Sequence, residues 1–447
     1  MSPIRKLLPP IALVSALALV PVTASSFAAA DTTNYQELEK FMSVYQQVKQ
    51  HYVVPVDDHA LIKGAIDGML SSLDPHSSYA EGADYDALKT LIEGSYGGLG
   101  LSVGMEDGTV KVITPTEDTP AWRAGIKAGD YITHINGELM YGYNLDEAVE
   151  KMRGKPGSPI KLTLVRKGRD KPFDVTLVRE EIKVHPVKWE VKEGVGYINI
   201  NQFAAGTGEA TEAAITAIDK ATGGHPLGYI VDLRSNPGGS LDEAIQVSDA
   251  FLDSGEIVSQ RGREKDDIQR YYAKPGDLTH GLPVVVLTDV GSASASEIVA
   301  GALQDHRRAL VLGERSFGKG SVQSIAMLGD RTALRLTTAR YYTPSGHSVQ
   351  EGGIDPDINV PQLSDPDYKD RPVTREADLR RHLLNQAKVD DKLLESDDTT
   401  DPRFSATAAE LEKKGIKDFQ LSYAINTIKR IAAPLNPTTS IAQKKGN

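Results

Sequence analysis

At 447 residues the chain is too long for one ordinary domain, and about two to four are expected. It is 40% apolar and 25% charged, a globular composition without low-complexity tracts, and its net charge of −11 argues against the concentrated basic face that a nucleic-acid backbone requires. With 0 cysteines, disulfides, thiolate metal ligands, a cysteine nucleophile and a lipoprotein anchor are all excluded.

The first thirty residues read as an export signal. Arg5 and Lys6 precede an apolar run over 7–20, and Ala28-Ala29-Ala30 stands before Asp31. The run is broken by Pro9 and Pro10 and is followed by Pro21, which makes it short for a membrane span. Cleavage near Ala30 and a soluble, exported protein, periplasmic in a bacterium, are expected; ATP is not expected there.

A helical N-terminal region is expected over 31–93. Leu38, Phe41, Tyr45 and Val48 repeat at helical spacing, a second helix over 58–72 carries Leu61, Ala65 and Met69 and stops at Asp74-Pro75, and a third spans 84–93. Packing or dimerisation is the expected role of this region.

From 94 to 170 the pattern changes to short alternating runs separated by Gly and Pro, the mark of a small β-rich module. The order of its parts resembles a circularly permuted PDZ domain of the bacterial kind. Its marks are Gly98-Leu99-Gly100-Leu101, the run A-G-I-K-A-G-D over 124–130, and I-N-G over 135–137. Consecutive backbone N–H groups at such a glycine turn can hold a terminal carboxylate, and the strand that follows offers an edge to an extended peptide.

Over 171–362 strand and helix patterns alternate, with apolar strands at 229–233 and 284–288, which suggests an α/β core with buried strands. Beyond 362 the chain turns charged, and a C-terminal helical extension over 363–447 is expected to hold helices at 376–386 and 418–431. The fold class expected is therefore α/β within an α+β multidomain chain.

Two stretches carry chemistry. In G-S-A-S-A-S-E-I-V, starting at Gly291, a serine-bearing turn joins a buried strand to a helix, where free N–H groups and the helix dipole favour developing negative charge. Taken by itself, capping is the better explanation of a serine there, and the pattern does not choose among Ser292, Ser294 and Ser296. A histidine base has no support: His306 lies at the far end of the same helix, about 18 Å from Ser294 at 1.5 Å per residue, and His225, His280 and His347 have no recognisable partner.

The second stretch, G-E-R-S-F-G-K-G-S from Gly313, imitates a phosphate-binding loop, but Gly320 stands where Ser or Thr belongs and a β-patterned run follows. Lys319, flanked by Gly318 and Gly320, is the alternative base, provided that burial lowers its pKa by a few units from about 10.4. Gln323 is four residues on, on the same face of a strand, where its amide could orient the lysine amine.

At these residues the chain resembles the carboxyl-terminal processing, or tail-specific, proteases of the Ser-Lys class. The shared motifs are S-A-S-A-S-E-I from Ser292, F-G-K-G-x-x-Q from Phe317, D-L-R-x-N-x-G-G from Asp232, L-D-P-H-S-x-Y from Leu73 and G-I-x-P-D-I-x-V from Gly353. The resemblance implies Ser294 as nucleophile, Lys319 as general base and Gln323 as the residue that positions it. It implies an oxyanion hole from Ala295 with Gly238 or Gly239, and a regulatory Arg153 that couples the PDZ domain to the site. It further implies substrates with free C-termini, an adaptor protein and self-association as partners, and neither metal nor cofactor. A non-catalytic PDZ adaptor would lack Ser294 or Lys319, and a nucleotide-binding protein would place a helix after Lys319.

Overall fold

A computed structural model describes residues 32–368, 370–385, 401 and 403–433; the export-signal expectation lies outside the described residues. The chain divides into two compact units, 1–66 and 67–447. The first holds the helix Thr32–His51 and the start of the helix Asp58–Ser71, with Lys49 and Asp58 paired at 2.5 Å. Leu38 and Phe41 recur at helical spacing as expected, yet stand 59% and 42% exposed. No described helix is long and apolar enough to cross a membrane.

The second unit contains the PDZ module and the protease-like core. The module is an antiparallel sheet in the order Leu101–Glu106, Thr109–Pro115, Tyr131–Ile135, Pro159–Val165 and Phe173–Val178. Strand alternation buries Val110, Val112, Ile132, Leu162 and Leu164 completely against the helix Leu145–Met152. That helix begins with a reciprocal pair, in which the Asn144 side chain accepts the Glu147 N–H and the Glu147 carboxylate accepts the Asn144 N–H, both at 2.9 Å.

A six-stranded sheet forms the centre of the core, in the order Val187–Lys192, Val195–Ile200, Tyr229–Asp232, Val284–Thr288, Ala309–Gly313 and Ile358–Asn359. Its first pair is antiparallel and the rest are parallel. Both faces are covered, which is why the strands read as continuous apolar runs. Ile198, Val231, Val286 and Val311 pack on one side against the helices Thr207–Ala221, Leu241–Asp249 and Ala295–Asp305. Ile230, Val285, Leu287 and Leu312, one residue out of step, meet Leu421, Ala424, Ile425 and Ile428 of the helix Phe419–Ala432. The expected helix near 418–431 is thus the second cover of the core sheet.

A second sheet places Ser78–Glu81, Thr332–Tyr342, Glu256–Arg261 and Ile268–Tyr272 side by side, with Ser321–Gly329 also paired to Thr332–Tyr342. A strand from the expected N-terminal helical region therefore belongs to the core. The helix expected at 376–386 is absent: the chain makes only a 3₁₀ turn at Glu376–Asp378 and stays non-helical to 385, and Gln386 lies outside the described residues. The reason is local. Within the segment the backbone bonds span three residues, as in turns, and its other groups bond to the loop before Ser321 and to Glu351.

Candidate active site

The buried strand Val284–Thr288 runs into a tight turn and then into the helix Ala295–Asp305. Ser294 occupies the corner at φ 56°, ψ −111°, a left-handed conformation strained for a residue with a Cβ by about 1–3 kcal/mol. Its backbone is held on both sides. The N–H donates to Glu297 Oε2 at 2.7 Å, and the carbonyl accepts Glu297 N, Ile298 N and the Tyr341 hydroxyl.

The structure separates the three serines. Ser292 donates to the Leu233 carbonyl at 2.8 Å and Ser296 to the Asn236 carbonyl at 2.9 Å, and both are completely buried. They fasten the serine turn to the turn that follows strand Tyr229–Asp232. Ser294 instead lines a cleft of about 760 Å³.

Ala295, Gly238 and Gly239 line the same cleft. As the first residue of its helix, Ala295 has a backbone N–H without an intrahelical acceptor. Gly238, at φ 96°, presses so closely on the serine turn that a Cβ would lie 2.8 Å from Ser294 Cβ and 2.9 Å from Ala295 N. Its N–H donates to Asn236 Oδ1 at 2.9 Å, and buried Asn236 is itself anchored to the Ile200 carbonyl at 2.8 Å.

Lys319 and Gln323 reach the cleft from the other side. Lys319 lies just before the strand Ser321–Gly329, so no helix follows it and the phosphate-loop reading fails. Its loop is bound to the serine helix through one completely buried carboxylate. Glu297 Oε1 accepts Ser316 Oγ at 2.6 Å and Gly318 N at 2.7 Å, while Oε2 accepts Lys319 N at 2.9 Å together with Ser294 N. The Tyr341 hydroxyl donates to the Lys319 carbonyl.

Burial governs the electrostatics. It pushes Glu297 up to about 7, against four hydrogen bonds that favour the carboxylate. It lowers Lys319 to about 8, helped by Arg335 and opposed by Glu376, Glu297 and Asp74. The Gln323 amide nitrogen donates to Ser321 Oγ at 3.0 Å and Thr337 Oγ1 at 3.3 Å. Among the described residues no hydrogen bond joins the Ser294 hydroxyl, the Lys319 amine and the Gln323 amide to one another.

His225, His280, His306 and His347 are not among the cleft residues, and His306 is turned to the Glu256 carbonyl at 2.7 Å. The PDZ residues Gly98, Leu99, Gly100 and Leu101 lie outside it too: Gly100 makes a left-handed turn at φ 74°, between strands Ser95–Gly98 and Leu101–Glu106. Arg153 caps the PDZ helix and stacks on Tyr96, 5.0 Å from its ring centre. Both line a separate hollow with Lys89 of the helix Gly82–Glu93 and Arg331 at the tip of the Ser321–Gly329 hairpin.

Glu297, Tyr341 and Asn236 were not singled out from the sequence. Glu297 had a signal, the Ser-x-x-Glu spacing of a capping box, and Asn236 had one as the fixed Asn of D-L-R-x-N-x-G-G, whereas Tyr341 is an ordinary strand residue.

Residues 194–360 match the peptidase family S41, 111–166 the PDZ domain, and 20–83 the N-terminal domain of the activating protease CtpB. A carboxy-terminal-processing protease of Bartonella bacilliformis is 50% identical over 362 residues, 80% of this chain and 83% of the relative. The carboxy-terminal processing protease CtpB of Bacillus subtilis is 37% identical over 78% of this chain and 72% of its own. Among solved structures, a photosystem II D1 C-terminal processing protease is 28% identical over 74% of this chain and 88% of its own, with a TM-score of 0.43.

Proposed function

Since the chain belongs to peptidase family S41, as a carboxy-terminal processing protease with a PDZ domain, we propose that it is an exported, periplasmic serine endopeptidase working through a Ser294–Lys319 dyad. The observation that carries this reading is the meeting of Ser294, at a strained strand-to-helix corner, and half-buried Lys319 around one cleft, their backbones joined by Glu297.

In this mechanism the PDZ domain takes the substrate's free C-terminus at the Gly98–Leu101 turn, and the chain upstream enters the cleft. Neutral Lys319 removes the proton as Ser294 Oγ attacks the scissile carbonyl. The oxyanion lies against the N–H of Ala295 and of one glycine in the 238–239 turn; Gly239 is the better placed, because Gly238 already donates to Asn236. The lysine returns the proton to the leaving amine, and water, deprotonated by the same amine, hydrolyses the acyl-enzyme. The Gln323 oxygen orients the ammonium in the loaded site, its nitrogen being held by Ser321 and Thr337. Arg153 couples the PDZ domain to the site through the hollow shared with the Ser321–Gly329 hairpin. The exposed apolar residues of Thr32–His51 serve self-association or an adaptor.

Purified Ser294→Ala and Lys319→Ala variants, assayed on a protein with an apolar free C-terminus, test this. Each is expected to lose about 10³-fold or more in kcat. Wild-type turnover in either would overturn the dyad, and equal cleavage of an amidated substrate would overturn tail recognition.

A further inference from the structure

Glu376 follows the S41-matched region and belongs to none of the motifs that mark the site, yet it is completely buried. Its carboxylate accepts Gln350 Nε2 at 2.9 Å and meets His76 Nε2 at 2.8 Å. Gln350, also completely buried, accepts the backbone N–H of Gly320 at 3.0 Å. The backbone of Glu376 donates to the Phe317 carbonyl at 3.1 Å, and Arg375 donates to the Ser316 carbonyl at 2.7 Å. The loop that carries Lys319 is therefore gripped at residues 316 and 317 by a segment more than fifty residues downstream, and at residue 320 by Gln350, which that segment holds in turn.

The same segment is fastened beyond the loop. Arg381 donates to the Ser71 carbonyl at 2.7 Å, and Glu351 takes both His382 and the Asn385 N–H at 2.7 Å. Gln350 sits so close that a Cβ at position 320 would fall 2.6 Å from its backbone nitrogen.

We propose that Glu376 is a positioning residue for Lys319: through Gln350 and its own backbone it sets the 316–320 loop, and it places a buried carboxylate within electrostatic reach of the lysine amine. The assignment rests on Lys319 acting as the base. Holding that loop alone requires only hydrogen bonds, which a neutral amide could make; a buried charge adds an influence on the amine that packing does not. The groups facing Lys319 are Glu297 from the serine helix, Arg335 from strand Thr332–Tyr342, Asp74 from the turn before Ser78 and Glu376 itself, which has His76 against it. Glu376 is the foremost of the three carboxylates that favour the ammonium form.

The test compares the full chain with Glu376→Gln and Glu376→Ala, beside Lys319→Ala as reference. Glu376→Ala is expected to lower kcat about tenfold or more with KM within about twofold, because the loop loses its grip while the substrate cleft remains. Glu376→Gln preserves volume and an acceptor for Gln350, so it should recover most of kcat. It should also move the acidic limb of the kcat/KM profile to lower pH, since one charge favouring the ammonium is gone. A Glu376→Gln limb at the wild-type position, or wild-type kcat in folded Glu376→Ala, overturns the proposal; if Glu376→Ala fails to fold, the Glu376→Gln limb decides alone. Should Lys319→Ala keep activity, the base assignment itself falls, whereas an inactive Lys319→Ala with an unmoved Glu376→Gln limb defeats only the role of Glu376.

Discussion

The carboxylate of Glu297 accepts the backbone N–H of Lys319 at 2.9 Å, across 22 residues of sequence. The same carboxylate accepts the N–H of Ser294 at 2.7 Å, so one buried group sets the spacing of both halves of the site. A strained serine corner persists only where its surroundings over-determine it, and Glu297 supplies much of that constraint.

Glu297→Ala would leave the N–H groups of Ser294, Gly318 and Lys319 and the Ser316 hydroxyl without their acceptor. A loss of about 3 kcal/mol in stability is expected, with activity abolished. Glu297→Gln can still accept at one oxygen and should be destabilised less. Denaturant midpoints with unchanged slopes check the order; a fully stable Glu297→Ala would show that the turn holds itself.

Activity should depend on pH through Lys319. Its pKa is lowered to about 8, chiefly by burial and then by Arg335. In the proposed dyad only the neutral amine accepts the serine proton, so kcat/KM should rise with pH through about 8 and level above it. Arg335→Gln removes a repelling positive charge and should move this limb to higher pH. A limb at about 6.5 that ignores Arg335 would point to a histidine instead.

Gly238 separates the two turns that shape the site. At φ 96° and with a Cβ due 2.6 Å from the Ala293 carbonyl, Gly238→Ala must shift one turn against the other. A fall of about 10²-fold in kcat is expected, with secondary structure unchanged by circular dichroism. Wild-type kcat in this variant would mean that the turns move freely.

The C-terminal helix should be indispensable for folding. Leu421, Ala424, Ile425 and Ile428 cover one face of the central sheet, and Arg234 binds Asp232 at 2.6 Å and Asp418 at 2.8 Å. Ending the chain at residue 400 exposes that face and strips a buried ion-pair network, a loss of at least about 5 kcal/mol. Such a chain is expected to aggregate on expression; a soluble, cooperatively melting product would refute this.

Much of the organisation was legible because it is local. Alternating runs between glycine turns marked the PDZ strands, uninterrupted apolar runs marked strands covered on both faces, and an absent Ser or Thr after Lys319 separated its loop from a phosphate loop. Short motifs also carried the names of Ser294, Lys319 and Gln323. The segment 376–386 misled because helix-forming residues and charge spacing say nothing about partners elsewhere in the chain. There the backbone bonds to the lysine loop, and tertiary contacts override propensity.

By itself, the amino-acid sequence determined the elements, the family and the residue types available for chemistry, since periodicity and turn residues act over a few positions. The resemblance named Ser294, but only the tertiary structure gave the physical reason it faces the cleft and its neighbours do not: Ser292 and Ser296 are tied to carbonyls of Leu233 and Asn236 about sixty residues away. It alone decided that Glu297, Gln350 and Glu376 converge on the loop that carries Lys319. Desolvation and charge proximity are properties of a folded interior, and the lowered pKa of Lys319 comes into being only when distant segments close around it.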